Sequence, residues 1–520
     1  MNCSNKNMLH TMRTKYISAL AGALALGACT YDFPVQEAPT TGQADFTKMV
    51  AVGNSITAGF MDGALYTAGQ NNSYPAIIAR QAATLGGGVF NQPAVNSANG
   101  CFNPPSDPSV QASNGCTAGR LILRNPLSPA PSPTPGDGGV AFNDFTAVPK
   151  NQLNNWGVPG VTLATSLTPA TGAPAIAGNP AFNRYYKRIA SNPGVSTLIG
   201  DAAASLANGG SFFTFWLGNN DVLGYATGGA SNPAILTSQT DFQTRFNAAL
   251  NAMLNANANA EGAVANIPNV TSIPFFSTIN PLSFVVPEAS RPALGVGIDQ
   301  LNAAINGWNA GVNATPGLTE AQRAALRRPT LSRNFTSYPL IILDLSLSDA
   351  SVPTPVGPFV IPKIRNLVAG DGILICLTAA SAPTALPAGM GISPASPLNE
   401  TQFDAFYLTP TEQTEIQNAI NGFNATIQAA VDAQSSRLVL VDTNKALADV
   451  RAGRVSINGS SFTASITPPF GAFSLDGVHP NQRGQGYIAN LFIQAINAKW
   501  GAKIPLCNPN DFAGNALPIP

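Results

Sequence analysis

A serine, a histidine and an aspartate carry the chemistry that stands out along these 520 residues. His479 lies in Asp476-Gly477-Val478-His479-Pro480, and the one other histidine, His10, sits in an N-terminal segment with the character of a removable signal. Imidazole has the unperturbed pKa best suited to proton shuttling near neutral pH. A carboxylate three residues earlier can hold its second ring N–H, and such a base needs a nucleophile. Three polar clusters offer partners: Gly53-Asn54-Ser55, Gly218-Asn219-Asn220-Asp221, and the loop ahead of Asp476. The first two follow apolar runs of strand length, Met49-Val50-Ala51-Val52 and Phe212 to Leu217. In an open α/β sheet, functional groups gather at the carboxyl ends of strands. A nucleophile for His479 is therefore to be sought at these strand exits.

The elements around these residues alternate. Ser73 to Leu85 and Thr240 to Ala258 have helical spacing, the second through Phe242, Phe246, Leu250, Met253 and Leu254. Val270 to Phe276 and Leu340 to Leu345 have the composition of strands. Thr409-Pro410-Thr411-Glu412 predicts a capped helix start, and Ile416, Ile420, Phe423, Ile427 and Val431 mark its buried face. A strand at Leu438 to Val441 and a last helix from Gly486 to Trp500 follow. Strands alternating with helices predict an α/β fold with a mainly parallel sheet covered on both faces. Residues 96–150 are expected to be loop, because five prolines between Asn125 and Gly139 exclude a helix or a central strand. Residues 285–400 are expected to be a second insertion.

Between the first two polar clusters lies Asn155-Trp156-Gly157-Val158-Pro159-Gly160-Val161-Thr162, which is expected to form a tight turn. With it, a resemblance emerges. Gly53-Asn54-Ser55-Ile56-Thr57-Ala58-Gly59-Phe60 resembles the first block of the GDSL, or SGNH, hydrolases. Asn155 to Thr162 is similar to their second block, Gly218 to Asp221 to their third, and Asp476 to His479 to their last, in the family's order. The resemblance implies a three-layer α/β/α domain over residues 46–504. It implies Ser55 as nucleophile, His479 as base and Asp476 as the acceptor that orients the imidazole. It also implies an oxyanion hole made by the backbone N–H groups of Ser55 and Gly160 and the side-chain amide of Asn220. Asn54 stands where the family's name has aspartate. Family members cleave short-chain acyl esters, phospholipids, thioesters and acetylated polysaccharides.

The N-terminus reads as an export signal: Lys6, Arg13 and Lys15 precede an uncharged apolar stretch from Tyr16 to Ala28. Leu26-Gly27-Ala28-Cys29 resembles the lipobox of bacterial lipoproteins, which implies a lipidated Cys29 after removal of residues 1–28. Thr30 after that cysteine points to the outer membrane, with residues 29–45 as tether and the lipid anchor as the membrane contact. Removing residues 1–28 leaves 23 basic against 26 acidic groups, which argues against nucleic acid as a partner. Charged residues make up only 10% of the chain, and the abundance of Asn, Ser and Gly leans towards a glycan-facing surface. Four cysteines remain beyond Cys29. Cys101 and Cys116 flank a loop and are expected to pair, leaving Cys376 and Cys507 as a second candidate pair and residues 505–520 as a tail. The lack of CxxC, or of a second histidine beyond the signal segment, predicts no metal, and the absence of GxGxxG or GxxxxGK[ST] leaves nucleotide cofactors without support. The competing class is a non-catalytic surface lipoprotein that binds a glycan or protein on the same fold.

Overall fold

A computed structural model describes residues 38–102, 116–124, 131–173, 178–279, 285–286, 288–337, 340–375 and 404–516. In chain order, the elements that build the layers and the site are β1 (Met49–Gly53), α1 (Ser55–Ala58), α2 (Tyr74–Ala83), β2 (Ala118–Leu123), β3 (Pro131–Pro135) and β4 (Asn155–Gly157). They continue with α3 (Leu198–Ala207), β5 (Phe212–Trp216), α4 (Asn220–Thr227), α5 (Gln239–Ala256) and β6 (Glu261–Ala265). The last are α6 (Pro410–Ala433), β7 (Leu438–Val441), α7 (Thr443–Arg451) and α8 (Gln482–Trp500). The central sheet has the order β7-β6-β5-β1-β4 and every neighbouring pair in it is parallel.

Side chains on a strand alternate between faces, so each strand feeds two cores. Val50, Val52, Phe213, Phe215 and Val264 face a core closed by Leu198, Leu206, Phe242, Phe246, Ile420 and Phe423 from α3, α5 and α6. Met49, Phe212, Trp216, Ala263 and Val441 face the other way, against Tyr74 and Ile78 of α2 and Phe492, Ile493, Ile496 and Trp500 of α8. The aromatic run of β5 is thus divided between the two faces. A parallel sheet needs crossovers and cover on both sides, and these helices supply both.

Several expectations require correction. Val270 to Phe276 forms two short 3-10 turns, Val270–Ser272 and Pro274–Phe276, because Pro274 removes a ladder donor. The sheet strand of this region is β6, whose alanines and glycine gave little β signal. Ile341–Leu343 is a strand, yet it pairs antiparallel with Ile364–Asn366 outside the central sheet. Asn155 to Gly157 is the edge strand β4, not part of a turn. The loop expected over residues 96–150 contains the hairpin β2–β3.

The expected tether is already folded from Thr40, where the Lys503 N–H donates to its carbonyl at 2.8 Å. The expected tail is packed as well: Asn490 holds both backbone polar groups of Cys507. Residues 288–375 carry their own apolar cluster, including Ile298, Ile305, Ile341 and Ile364. Inside it the Arg365 guanidinium lies between Asp344 and Asp371 at 2.6 Å from each.

Cys101 and Cys116 form a disulfide with a Cα–Cα distance of 5.5 Å. Cys507 is a free buried thiol, and its candidate partner Cys376 lies outside the described residues. The Cys507 Sγ donates to the Gly486 carbonyl at 3.3 Å, and burial pushes the thiol up to about 11. Cys29 also lies outside the described residues. Among those residues no helix is long and apolar enough to cross a membrane.

Candidate active site

Sheet register gathers three of the four segments that resemble family blocks: Gly53 to Phe60, Asn155 to Thr162 and Gly218 to Asp221. Gly53, the last residue of β1, pairs with Gly157 of β4 on one side and with Trp216 of β5 on the other. The chain leaves β1 in a tight reversal into α1, and Gly53 is needed there: a Cβ would fall 2.0 Å from Thr57 Oγ1. Ser55 is the first residue of α1 and is buried. Asn54 caps the helix, its Oδ1 accepting the Ile56 N–H at 3.0 Å. An amide oxygen does this work as well as a carboxylate would, which accounts for asparagine at this position.

The second and third segments are tied to each other. The Asn220 side-chain amide donates to the Val161 carbonyl at 2.8 Å, and the Leu163 N–H donates to Asp221 Oδ2 at 2.9 Å. Burial raises the Asp221 carboxyl to about 6 against the hydrogen bonds from Leu163 and Thr237. Gly160 stands exposed at φ +77°, a left-handed conformation that suits glycine. Asn183 braces the turn by donating to the Pro159 carbonyl at 2.8 Å.

The last segment comes from the far end of the chain. Phe473 and Pro480 form an antiparallel bridge, and the Ser474 N–H donates to the His479 carbonyl at 2.7 Å, closing a turn around Asp476. Asn481 then caps α8 by accepting the Gly484 N–H. His479 Nε2 lies 2.9 Å from Ser55 Oγ, and His479 Nδ1 lies 2.9 Å from Asp476 Oδ2. Phe60 packs on the imidazole with ring centroids 4.9 Å apart.

The Asp476 carboxylate is fully occupied. Oδ1 accepts the N–H groups of Val478 and His479, and Oδ2 accepts the Gly63 N–H at 2.9 Å beside the imidazole. Burial by itself would raise this group, but the facing His479 ring and the hydrogen bonds from His479 and Val478 hold it down to about 2. It is therefore ionised throughout the neutral range, as the partner of a histidine that takes up a proton must be.

Ser55, His479 and Asp476, separated by up to 424 residues, thus form one hydrogen-bonded row. Gly160, in the turn after β4, and Asn220, the first residue of α4, are held next to each other by the bond from Asn220 to Val161. Sequence reasoning missed Asp62 and Gly63, which bind the turn around Asp476. Their signal was the Asp-Gly pair in Met61-Asp62-Gly63-Ala64, a favoured tight-turn dipeptide. No protein-family model, curated protein or solved structure matches the chain. The site therefore has to be read from its own geometry.

Proposed function

We propose that this protein is a serine ester hydrolase of the GDSL/SGNH type, held at the bacterial envelope by lipid on Cys29. The observation that carries the reading is the continuous row Ser55 Oγ, His479 Nε2, His479 Nδ1 and Asp476 Oδ2, with both separations at 2.9 Å. These are the distances at which a base takes a hydroxyl proton and a carboxylate fixes its tautomer.

In the proposed reaction Ser55 Oγ attacks the ester carbonyl carbon while its proton passes to His479 Nε2. Asp476 stabilises the imidazolium so formed. Negative charge collects on the former carbonyl oxygen, which the backbone N–H groups of Ser55 and Gly160 and the Asn220 amide would hold. One Asn220 hydrogen is committed to Val161, which fixes the amide plane and leaves the second hydrogen to donate. His479 then protonates the departing alcohol oxygen as the C–O bond breaks, leaving an acyl ester on Ser55. Water attacks that ester with His479 again as base, releasing the acid and restoring the serine. No step calls for a cofactor. The Asn-, Ser- and Gly-rich composition favours acyl groups on carbohydrate as substrate.

Hydrolysis of p-nitrophenyl acetate and octanoate by the wild type and by Ser55→Ala tests the reading. The wild type is expected to turn over at least one ester and to take a fluorophosphonate label, and Ser55→Ala to do neither at an unchanged melting temperature. Turnover that survives in Ser55→Ala removes the mechanism. An unlabelled, inert wild type favours the binding-protein alternative.

A further inference from the structure

Three backbone or side-chain bonds run from one tight turn to the segment that carries the candidate acid and base. The turn is Met61–Ala64, with reciprocal backbone bonds between its ends and φ of +56° at Asp62 and +74° at Gly63. Both central residues are left-handed, the pattern that favours Asp-Gly. The Asp62 N–H donates to Ser474 Oγ at 2.9 Å, and the Leu475 N–H donates to Asp62 Oδ1 at 3.0 Å. The Gly63 N–H donates to Asp476 Oδ2 at 2.9 Å, the oxygen that also faces His479 Nδ1. These bonds join parts of the chain more than 400 residues apart.

The turn is held from behind. The Tyr66 hydroxyl donates to Asp62 Oδ2 at 2.9 Å, and Arg120 Nη1 lies 4.0 Å from the same oxygen. The Leu121 N–H donates to the Asp62 carbonyl at 2.8 Å, so hairpin β2–β3 backs the turn. Phe102, next to the disulfide residue Cys101, lies where a side chain on Gly63 would have to go. Ser474 is completely buried and Asp62 is 8% exposed.

We propose that Asp62 is a positioning residue that sets the Asp476–His479 turn at working distance from Ser55, an inference that rests on the esterase reading for its kinetic consequence. A buried carboxylate is costly to keep, and burial raises Asp62 to about 6 despite its hydrogen bonds. Aligning the Leu475 amide against Asp62 Oδ1, and the Asp62 amide against Ser474, leaves the Gly63 N–H aimed at the Asp476 carboxylate. Without that backing, Asp476 keeps only its own loop's amides and the imidazole. A displacement of about 1 Å at such a site costs on the order of 100-fold in rate.

The test compares Asp62→Ala with Asp62→Asn. Asparagine tolerates the left-handed conformation, its Oδ1 can accept the Leu475 N–H, and its amide can donate to the Tyr66 oxygen. In the full chain carrying His10→Gln, His479 is the only histidine, so ¹⁵N-histidine labelling reports one imidazole. Asp62→Ala is expected to lower kcat about 30- to 100-fold with KM within about two-fold, and to lose the exchange-protected Nδ1–H resonance. Asp62→Asn is expected to retain the resonance and to keep kcat within about five-fold. The proposal is overturned if folded Asp62→Ala keeps both kcat and the resonance, or if its loss of rate only tracks its unfolded fraction by circular dichroism. A wild type that cleaves no ester removes the esterase reading alone, and the imidazole resonance then decides the role of Asp62 by itself.

Discussion

Replacing Asp476 by asparagine isolates what the carboxylate does for the imidazole. The side chain is 12% exposed, and its pKa is about 2 where an ordinary aspartate stands at 3.8. That difference corresponds to about 2 to 3 kcal/mol of preference for the ionised state, a factor of about 30 to 150 in an equilibrium. In the proposed mechanism the same interaction would stabilise the imidazolium as Ser55 gives up its proton, so kcat should fall by at least this factor. Asparagine can also present its N–H₂ to Nδ1 and leave the wrong tautomer facing the serine, and in a triad the combined loss approaches about 10⁴. The expected outcome is kcat for p-nitrophenyl acetate lowered between about 10² and 10⁴, with KM little changed. Acid unfolding gives an independent reading. A carboxyl depressed in the folded state contributes stability that is full above about pH 4 and is lost as pH falls towards 2. Asp476→Asn should lack that portion of the slope. A variant whose kcat stays within about three-fold of wild type would refute the assigned role.

Two further expectations concern the oxyanion side and the pH dependence of stability. Asn220→Ala should lower kcat by about 10² to 10³ with little effect on KM, and a change confined to KM would exclude Asn220 as an oxyanion donor. Asp62 faces Tyr66, Arg120 and Asp476, Asp221 faces Arg245 and Thr237, and both carboxyls are raised by burial to about 6. Below about pH 4 both states of the chain hold these protons, and between about pH 4 and 6 only the folded state does. Their stabilising contribution is therefore lost as pH rises through 6, at an order of 3 kcal/mol for each. With Asp476 acting in the opposite sense below pH 4, urea midpoints should be higher at pH 5 than at pH 8, and the reverse order would contradict the buried state of these groups.

Much of this site was legible because its parts are short and locally determined. Strand β1 ends at the glycine its apolar run predicts, just ahead of Ser55, and Thr409-Pro410-Thr411-Glu412 forms the capping box its residues predict. What escaped was tertiary. Glu261–Ala265 is a strand because it lies between β5 and β7, although its own residues barely favour one. The apolar residues from Val270 to Phe276 instead serve turns beneath the turn of Asp476, where the Phe275 N–H donates to the Gly477 carbonyl at 2.9 Å. Asp62 could be read as a turn residue but not as a neighbour of Leu475, since nothing local links residues 413 apart.

Hairpin β2–β3 has a further property that concerns neighbouring molecules. Pro131, Pro133 and Pro135 occupy every second position of β3 and have no N–H to offer. Ser132 and Thr134 share the parity of Gly136, whose N–H already points into the hairpin towards the Thr117 carbonyl at 2.9 Å. The outward side of β3 is thus stripped of donors along its length, and a passing strand finds no ladder to join. Wherever copies of the chain are crowded together, this edge of the ribbon offers an encounter no row of donors on which to extend a shared sheet.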